Sequence, residues 1–195
     1  IPFYVWSRVL RTMDRNSTEQ FSSNQIIVRD ASAEDAQAIM HIWNANISST
    51  LNTFNSRIKT ELEIKDTILE TNKKNYGFFV SECEGIIIGF ATYFQFRTGV
   101  GYSKTLEHTI VISETMQRCG VGKALMTSLL EDAKRKSFQS IFAGVSGSNK
   151  RAVKFHESLG FQVVAELPQV GYKFDKWLDL ILMQKFLQTD HRDDF

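Results

Sequence analysis

Two cysteines and two prolines in 195 residues, no long hydrophobic run and nearly balanced charge leave little that marks this chain at a glance. Each scarcity excludes something. Cys83 and Cys119 are too few for a disulfide framework and lack metal-ligand spacing, which fits a reducing, cytoplasmic setting. Formal net charge is +1 and the basic residues are dispersed, so neither a nucleic-acid stripe nor a surface for acidic lipid is expected. Small-molecule partners are favoured. The run Lys134-Arg135-Lys136 is expected in the last turn of a helix, where cations complement the dipole. His41, His108, His156 and His191 are scattered without ligand spacing, so no metal is expected. The apolar stretch Ile1 to Trp6 is too short for a signal core or a membrane span.

No internal repeat, low-complexity tract or Pro/Gly/Ser linker divides the sequence. It therefore reads as one domain, residues 26–187, with an N-terminal extension, 1–25, and a polar tail, 188–195. Residues 1–12 read either as a non-native segment ahead of Met13 or as an arm whose aromatics dock on a neighbouring subunit. A chain of this length buries about 70% of its unfolded surface and needs no staple. Hydrophobic content of 43% with 15 Phe points to a bulky aromatic core.

The order of elements is mixed α/β. Ile26 to Arg29 reads as a strand. Ser32 and Asp35 then open a helix with Ala36, Ile39, Met40 and Trp43 on one face. Thr60 and Glu63 form a capping box before a helix bearing Leu62, Ile64, Ile68 and Leu69. Phe78 to Cys83 and Ile86 to Phe96 read as a hairpin turning at Glu84-Gly85, followed by a strand from Thr105 to Ser113. Val121, Ala124, Leu125, Leu129 and Ala133 recur at helical spacing. Ser140 to Val145, a helix capped by Ser148 or Asn149 and ended by Gly160, then strands Phe161 to Glu166 and Lys173 to Phe186 complete the chain.

Chemistry enters at Gln117-Arg118-Cys119-Gly120-Val121-Gly122, between the Thr105 strand and the Val121 helix. Two glycines one residue apart allow a tight turn with successive N–H groups pointing one way, and the helix start adds unpartnered N–H groups and a favourable dipole. A diphosphate fits such a cradle. A P-loop is excluded because Gln117 and Ala124 stand where Gly and Ser or Thr are needed. A dinucleotide fingerprint is excluded because Leu125 replaces its third Gly. Serine-hydrolase chemistry is disfavoured because Gly144-Val145-Ser146-Gly147-Ser148 lacks the closing Gly.

The remaining pattern, Gln/Arg-x-x-Gly-x-Gly/Ala, resembles the acyl-CoA-binding motif of the GCN5-related N-acetyltransferases. Asn149 to Phe161, with Ala152, Phe155, His156 and Gly160, resembles that family's Asn-x-x-Ala-x-x-Phe-Tyr-x-x-x-Gly-Phe helix, His156 standing where many members carry Tyr. Phe96-Arg97, Gly101-Tyr102 and Thr105 to Ile112, with Trp43-Asn44 and Thr53-Phe54, resemble the phosphinothricin acetyltransferase branch. The likeness spans about Ile26 to Leu187. It implies one acetyltransferase domain with a central mixed, mostly antiparallel sheet flanked by helices, acetyl-CoA as co-substrate, a small-molecule amine as acceptor and a homodimer. It also implies that Ile110, Val111 and Ile112 pair with pantetheine through their main chain. Gln117, Arg118, Cys119, Gly120, Val121, Gly122 and Lys123 would hold the diphosphate, and Asn149 would bind the cofactor.

Acetyl transfer from a thioester to an amine needs a base, an oxyanion partner and an acid for the thiolate. Glu107 stands where the resemblance places a base, and partial burial would raise its pKa. On residues alone it equally fits a solvent-facing carboxylate or a partner of Arg97. His156 suits an acid or relay, or a structural role. His108, on the opposite strand face from Glu107, reads as structural. Phe54, Arg97 and Tyr102 resemble acceptor-pocket positions, with Arg97 suited to a carboxylate. Phe54 also fits a core residue, and Arg97 a solvated charge. The acceptor expected is amino-acid-like, of the phosphinothricin or methionine sulfoximine type. A polyamine, aminoglycoside or protein amine, or a non-catalytic acyl-CoA-binding module, remain as alternatives.

Overall fold

The computed structural model describes residues 26–188, so the expectations for the N-terminal extension and for the tail beyond Gln188 lie outside the described residues. Seven strands and four α-helices follow in the order β1 (Ile26–Asp30), α1 (Ala36–Ser49), α2 (Glu61–Lys73), β2 (Phe78–Cys83), β3 (Ile86–Gln95), β4 (Thr105–Ile112), α3 (Val121–Arg135), β5 (Ser140–Ser146), α4 (Lys150–Ser158), β6 (Gln162–Lys173) and β7 (Lys176–Phe186). The sheet runs β1-β2-β3-β4-β5-β7-β6, and β4 with β5 is its one parallel pair.

Local chemistry sets the boundaries. The Asp35 carboxylate accepts from the Ser32 N–H at 2.8 Å and is held by Arg29, whose guanidinium keeps its pKa below the ordinary Asp value. At α2, Glu63 N–H donates to Thr60 Oγ1 while Thr60 N–H donates to Glu63 Oε2, closing the expected capping box. The β2–β3 hairpin turns through Glu84 and Gly85, both at positive φ, as a two-residue turn matched to strand twist requires.

Two expectations are corrected. In α2 only Ile64 and Ile68 of the four apolar residues are buried, while Leu62 and Leu69 are 66% and 56% exposed. Positions 64 and 68 share a stripe four residues apart, and positions 62 and 69 fall off it. The final strands divide at Phe174-Asp175, both left-handed, rather than between residues 166 and 173, so Lys173 ends β6 and β7 begins at Lys176. β6 is an edge strand, and the register shift between Leu167 and Gly171 takes up Pro168 and the left-handed Gln169 as a bulge.

The helices cover the sheet from both sides. Leu125, Met126 and Leu129 of α3 pack with Leu106, Ile141 and Met183 on one face. Ile39, Ile64 and Ile68 pack with Phe78 and Phe90 on the other, where Met40 and Trp43 are partly buried. Each fully buried Leu or Ile contributes roughly 1.5–3 kcal/mol by leaving water. On the α3 face Tyr93 donates its hydroxyl to the buried carboxylate of Asp132 at 2.5 Å, and Lys136 and Arg135 complete that carboxylate's shell. Two of the three consecutive basic residues are thus spent on an internal charge.

The sheet opens at its centre. β4 and β5 pair through Thr105–Ser140, Leu106–Ile141 and Glu107–Phe142, and there the ladder stops. Beyond it each strand keeps its outer partner, β4 with β3 as far as Ile112 and β5 with β7 as far as Ser146. The two inner edges diverge and leave main-chain groups without a strand partner.

Candidate active site

A cleft of about 1140 Å³ fills the fork between β4 and β5. Three groups of residues converge on it: the β4 edge from Glu107 to Ile112, the loop entering α3, and the face of α4 carrying Asn149 and His156.

The loop is shaped by two left-handed residues, Arg118 (φ 69°) and Gly120 (φ 83°), the second being the N-cap of α3. The first helical bond runs from Ala124 N–H to Gly120 C=O, and no side chain caps the helix, so the N–H groups of Val121, Gly122 and Lys123 project from its end. Arg118 and Lys123 line the cleft here together with Arg151 of α4, which donates to Gln117 Oε1 at 3.2 Å. Space at position 122 is tight. A Cβ there would lie 2.9 Å from Ile112 Cδ1 and 3.2 Å from the Phe155 ring. Of the loop residues expected at the cofactor, Cys119 and Val121 do not line the cleft: the Cys119 thiol turns to the Gln117 carbonyl, and the Val121 side chain enters the core. Asn149 does two things, accepting from Ala152 N–H as the α4 cap and donating to Asn52 Oδ1 at 2.8 Å across the cleft.

Glu107 sits at the last paired position of the fork, half-buried. Its Oε1 lies over Gly144 of β5, where a Cβ would be in ordinary contact with it at 3.4 Å. Burial pushes its pKa above the ordinary Glu value, and the Arg97 charge pulls the other way. His156 is 4% exposed, with Nδ1 2.8 Å from the Ala152 carbonyl. A carbonyl oxygen only accepts, so Nδ1 carries the hydrogen and Nε2 of the neutral ring holds a lone pair. That Nε2 is buried without a partner, and burial lowers the ring's pKa. His108 faces away from Glu107 as strand alternation requires, yet it is also part of the cleft wall, its ring centre 5.1 Å from that of His156.

Against this geometry, the acetyltransferase (GNAT) domain family matches residues 28–182. The chain belongs to the GNAT acetyltransferases. This acetyltransferase is 34% identical over 164 residues to the L-methionine sulfoximine/L-methionine sulfone acetyltransferase of Salmonella typhimurium, covering 84% of this chain and 94% of that protein. It is 32% identical over 158 residues to the phosphinothricin N-acetyltransferase of Streptomyces viridochromogenes, covering 81% and 86%. Among solved structures it superposes with TM-score 0.84 on a putative acetyltransferase from Salmonella typhimurium with its cofactor acetyl-CoA, at 32% identity, over 88% of this chain and 99% of that one.

The expected acceptor residues of this acetyltransferase part company. Phe54 lines the cleft and packs against β6, where a Cβ at Gly171 would run into its ring. Its loop is fastened by the buried Lys173, whose ammonium donates to the Thr50 and Thr53 carbonyls at 2.8 and 2.9 Å. Arg97 and Tyr102 stand outside the cleft lining, because the β3–β4 connection carries them past the strand ends into solvent. Arg97 lies on the Phe96 ring at 4.9 Å, and Phe96 stacks on Phe142 at 4.4 Å. Trp43 and Lys59, by contrast, do line the cleft, the Lys59 ammonium 4.6 Å above the Trp43 ring. Trp43 belongs both to the expected helix stripe and to the Trp43-Asn44 pair of the resemblance, whereas nothing local in the sequence distinguishes Lys59. Its position comes from Asn44, which clamps the Lys59 N–H and C=O, each at 2.8 Å. Among the described residues no group of three His, Cys, Asp or Glu is placed to hold a metal, and no helix is long and apolar enough to cross a membrane.

Proposed function

We propose that this enzyme transfers the acetyl group of acetyl-CoA to the amine of a small amino-acid-like acceptor of the methionine sulfoximine or phosphinothricin type. The observation that carries the reading is the forked β4–β5 edge with Glu107 at its apex and an uncapped helix end at its mouth. Pantetheine takes the place of the missing strand, bonding to the main chain of Ile110, Val111 and Ile112. The diphosphate rests on the amides of the loop from Gln117 to Lys123, including those of Cys119 and Val121, whose side chains are not needed there. Arg118, Lys123 and Arg151 add charge, and Asn149 closes the cofactor side.

In this mechanism Glu107, with its raised pKa, accepts the proton of the incoming ammonium directly or through water. The freed amine attacks the thioester carbonyl in a ternary complex. The oxyanion is met by main-chain N–H groups of the open β4 edge. His156 protonates the departing thiolate. Phe54 packs against the acceptor, while Arg97 and Tyr102 stay outside the cleft lining and Arg97 acts on the site through its charge on Glu107. The reading assigns no role to nucleic acid, membrane or metal. It places the protein in the cytoplasm, supported by the two free cysteines. It takes the exposed apolar side chains of edge strand β6, Val163, Val164, Val170 and Tyr172 among them, as the face of a homodimer.

One observation favours a second reading. Arg97 lies outside the cleft lining, which suits an acceptor without a carboxylate, such as a polyamine, an aminoglycoside or a protein amine. Release of free thiol from acetyl-CoA across a panel of amino acids, polyamines, aminoglycosides and peptides separates the two. Turnover confined to carboxylate-bearing amines supports the first reading, and turnover confined to the other amines replaces it. Binding of acetyl-CoA without turnover on any acceptor would leave an acyl-CoA-binding module.

A further inference from the structure

Three buried ring nitrogens in the cleft wall have no hydrogen-bond partner: both of His108 and Nε2 of His156. Leaving such groups unpaired costs about 1–3 kcal/mol each, and in a folded protein that cost is ordinarily met by a ligand or an ordered water. His108 is 7% and His156 4% exposed, and the rings lie 5.1 Å apart at 32°, enclosed by Phe161 and Phe155. The strand's carboxylate, Glu107, projects from the opposite face. The groups acting on these rings are each other, the Ala152 carbonyl and the apolar walls.

We propose that His108 and His156 work as one two-ring acid, joined through a bridging water, that delivers the proton to the CoA thiolate. The inference rests on the acetyl-transfer reading above and deepens it. A neutral His156 has its single N–H committed to the Ala152 carbonyl and offers the sulfur only a lone pair, so it must first receive a proton on Nε2. His108, packed against it with both nitrogens free, is the group that passes one on. The amine attacks, the C–N bond forms, and the C–S bond breaks. The surplus proton on nitrogen leaves through Glu107 to solvent, and the sulfur's electron pair takes the proton from His156 Nε2. The pair is neutral at rest: His108 takes up one proton from solvent along the cleft and passes it to His156 Nε2, and both rings are neutral again once the sulfur has taken it. His108 is therefore a positioning and relay residue that acts through His156.

Single-turnover rates in mixtures of light and heavy water test the pair in the intact enzyme. The wild type should give a curved proton inventory, and His108→Ala a linear one with a rate reduced roughly 10²-fold, the lower end for general acid catalysis. Imidazole added to His108→Ala should restore part of the rate, a response that a merely structural role would not produce. His108→Gln, which fills the space but cannot relay, should be as slow as the Ala variant and unresponsive to imidazole. Acetyl-CoA affinity, measured by calorimetry, should stay within about twofold in both. A linear inventory in the wild type, or full rate in either variant, overturns the relay while leaving acetyl transfer intact. Failure of the wild type to bind acetyl-CoA would instead remove the reading beneath it.

Discussion

Beneath α3, the Asp132 carboxylate receives the Tyr93 hydroxyl at 2.5 Å and the Lys136 ammonium at 2.8 Å, with Arg135 closing the shell, whereas beneath α4 three nitrogens of His108 and His156 receive nothing. Both clusters are buried on the same face of one sheet. The first is complete in itself and holds α3 to β3. The second lacks a partner that the protein does not supply, and it stands where the β4–β5 ladder has opened. A buried polar group with its bonds made belongs to the fold, and one with its bonds unmade on a cleft wall awaits a ligand.

The comparison breaks most visibly at the fork itself. Glu107→Gln keeps the shape and removes the base, and kcat should fall about 10²- to 10³-fold in a thiol-release assay with acetyl-CoA binding unchanged. An unaltered rate would move the base elsewhere. Asp132→Ala tests the satisfied cluster: stripping a buried charge from its partners should cost about 3 kcal/mol in denaturant unfolding, with activity per folded molecule retained. His108→Leu should do the reverse, gaining about 1 kcal/mol of stability while losing catalysis, because it replaces unpaired buried nitrogens with carbon.

The same variant carries a pH signature. Burial lowers the His108 pKa, so as pH falls below the unfolded value, about 6.5, the unfolded chain takes up a proton that the folded chain resists. Wild-type stability should therefore decline below about pH 6.5 more steeply than that of His108→Leu, as seen in unfolding curves between pH 7.5 and about 5. Equal slopes would show that His108 is not neutral in the folded state. The smallest effect belongs to Arg97. Its positive charge lowers a Glu107 pKa that burial raises, and Glu107 must be ionised to act. Arg97→Leu should shift the acidic limb of kcat/KM to higher pH by a fraction of a unit, and a shift to lower pH would contradict the assignment.

The sequence carried the element order because caps and turns are local: Thr60 with Glu63, Glu84-Gly85 and Gly120 each set a boundary through neighbours a few residues away. It misjudged the middle of β6, where an edge position tolerates Pro168, and it spread the apolar face of α2 over Leu62 and Leu69. The places of Glu107, His156 and most of the loop before α3 on the cleft wall were legible because short motifs carry them. The pairing of His108 with His156 was not, since it joins a strand to a helix 48 positions later and leaves no periodic trace. Arg97 and Tyr102 show the opposite limit. A motif fixed their place in the chain, but the exposed connection that bears them leaves them off the cleft wall.

The central claim is that open main-chain groups of β4 and of the helix start hold acetyl-CoA. Calorimetric titration of the folded enzyme with acetyl-CoA and with S-acetylpantetheine, which lacks the diphosphate, tests it most directly. The account predicts saturable one-to-one binding of acetyl-CoA and an affinity for the truncated thioester lower by at least about tenfold. Equal affinities, or no heat with acetyl-CoA, would contradict it.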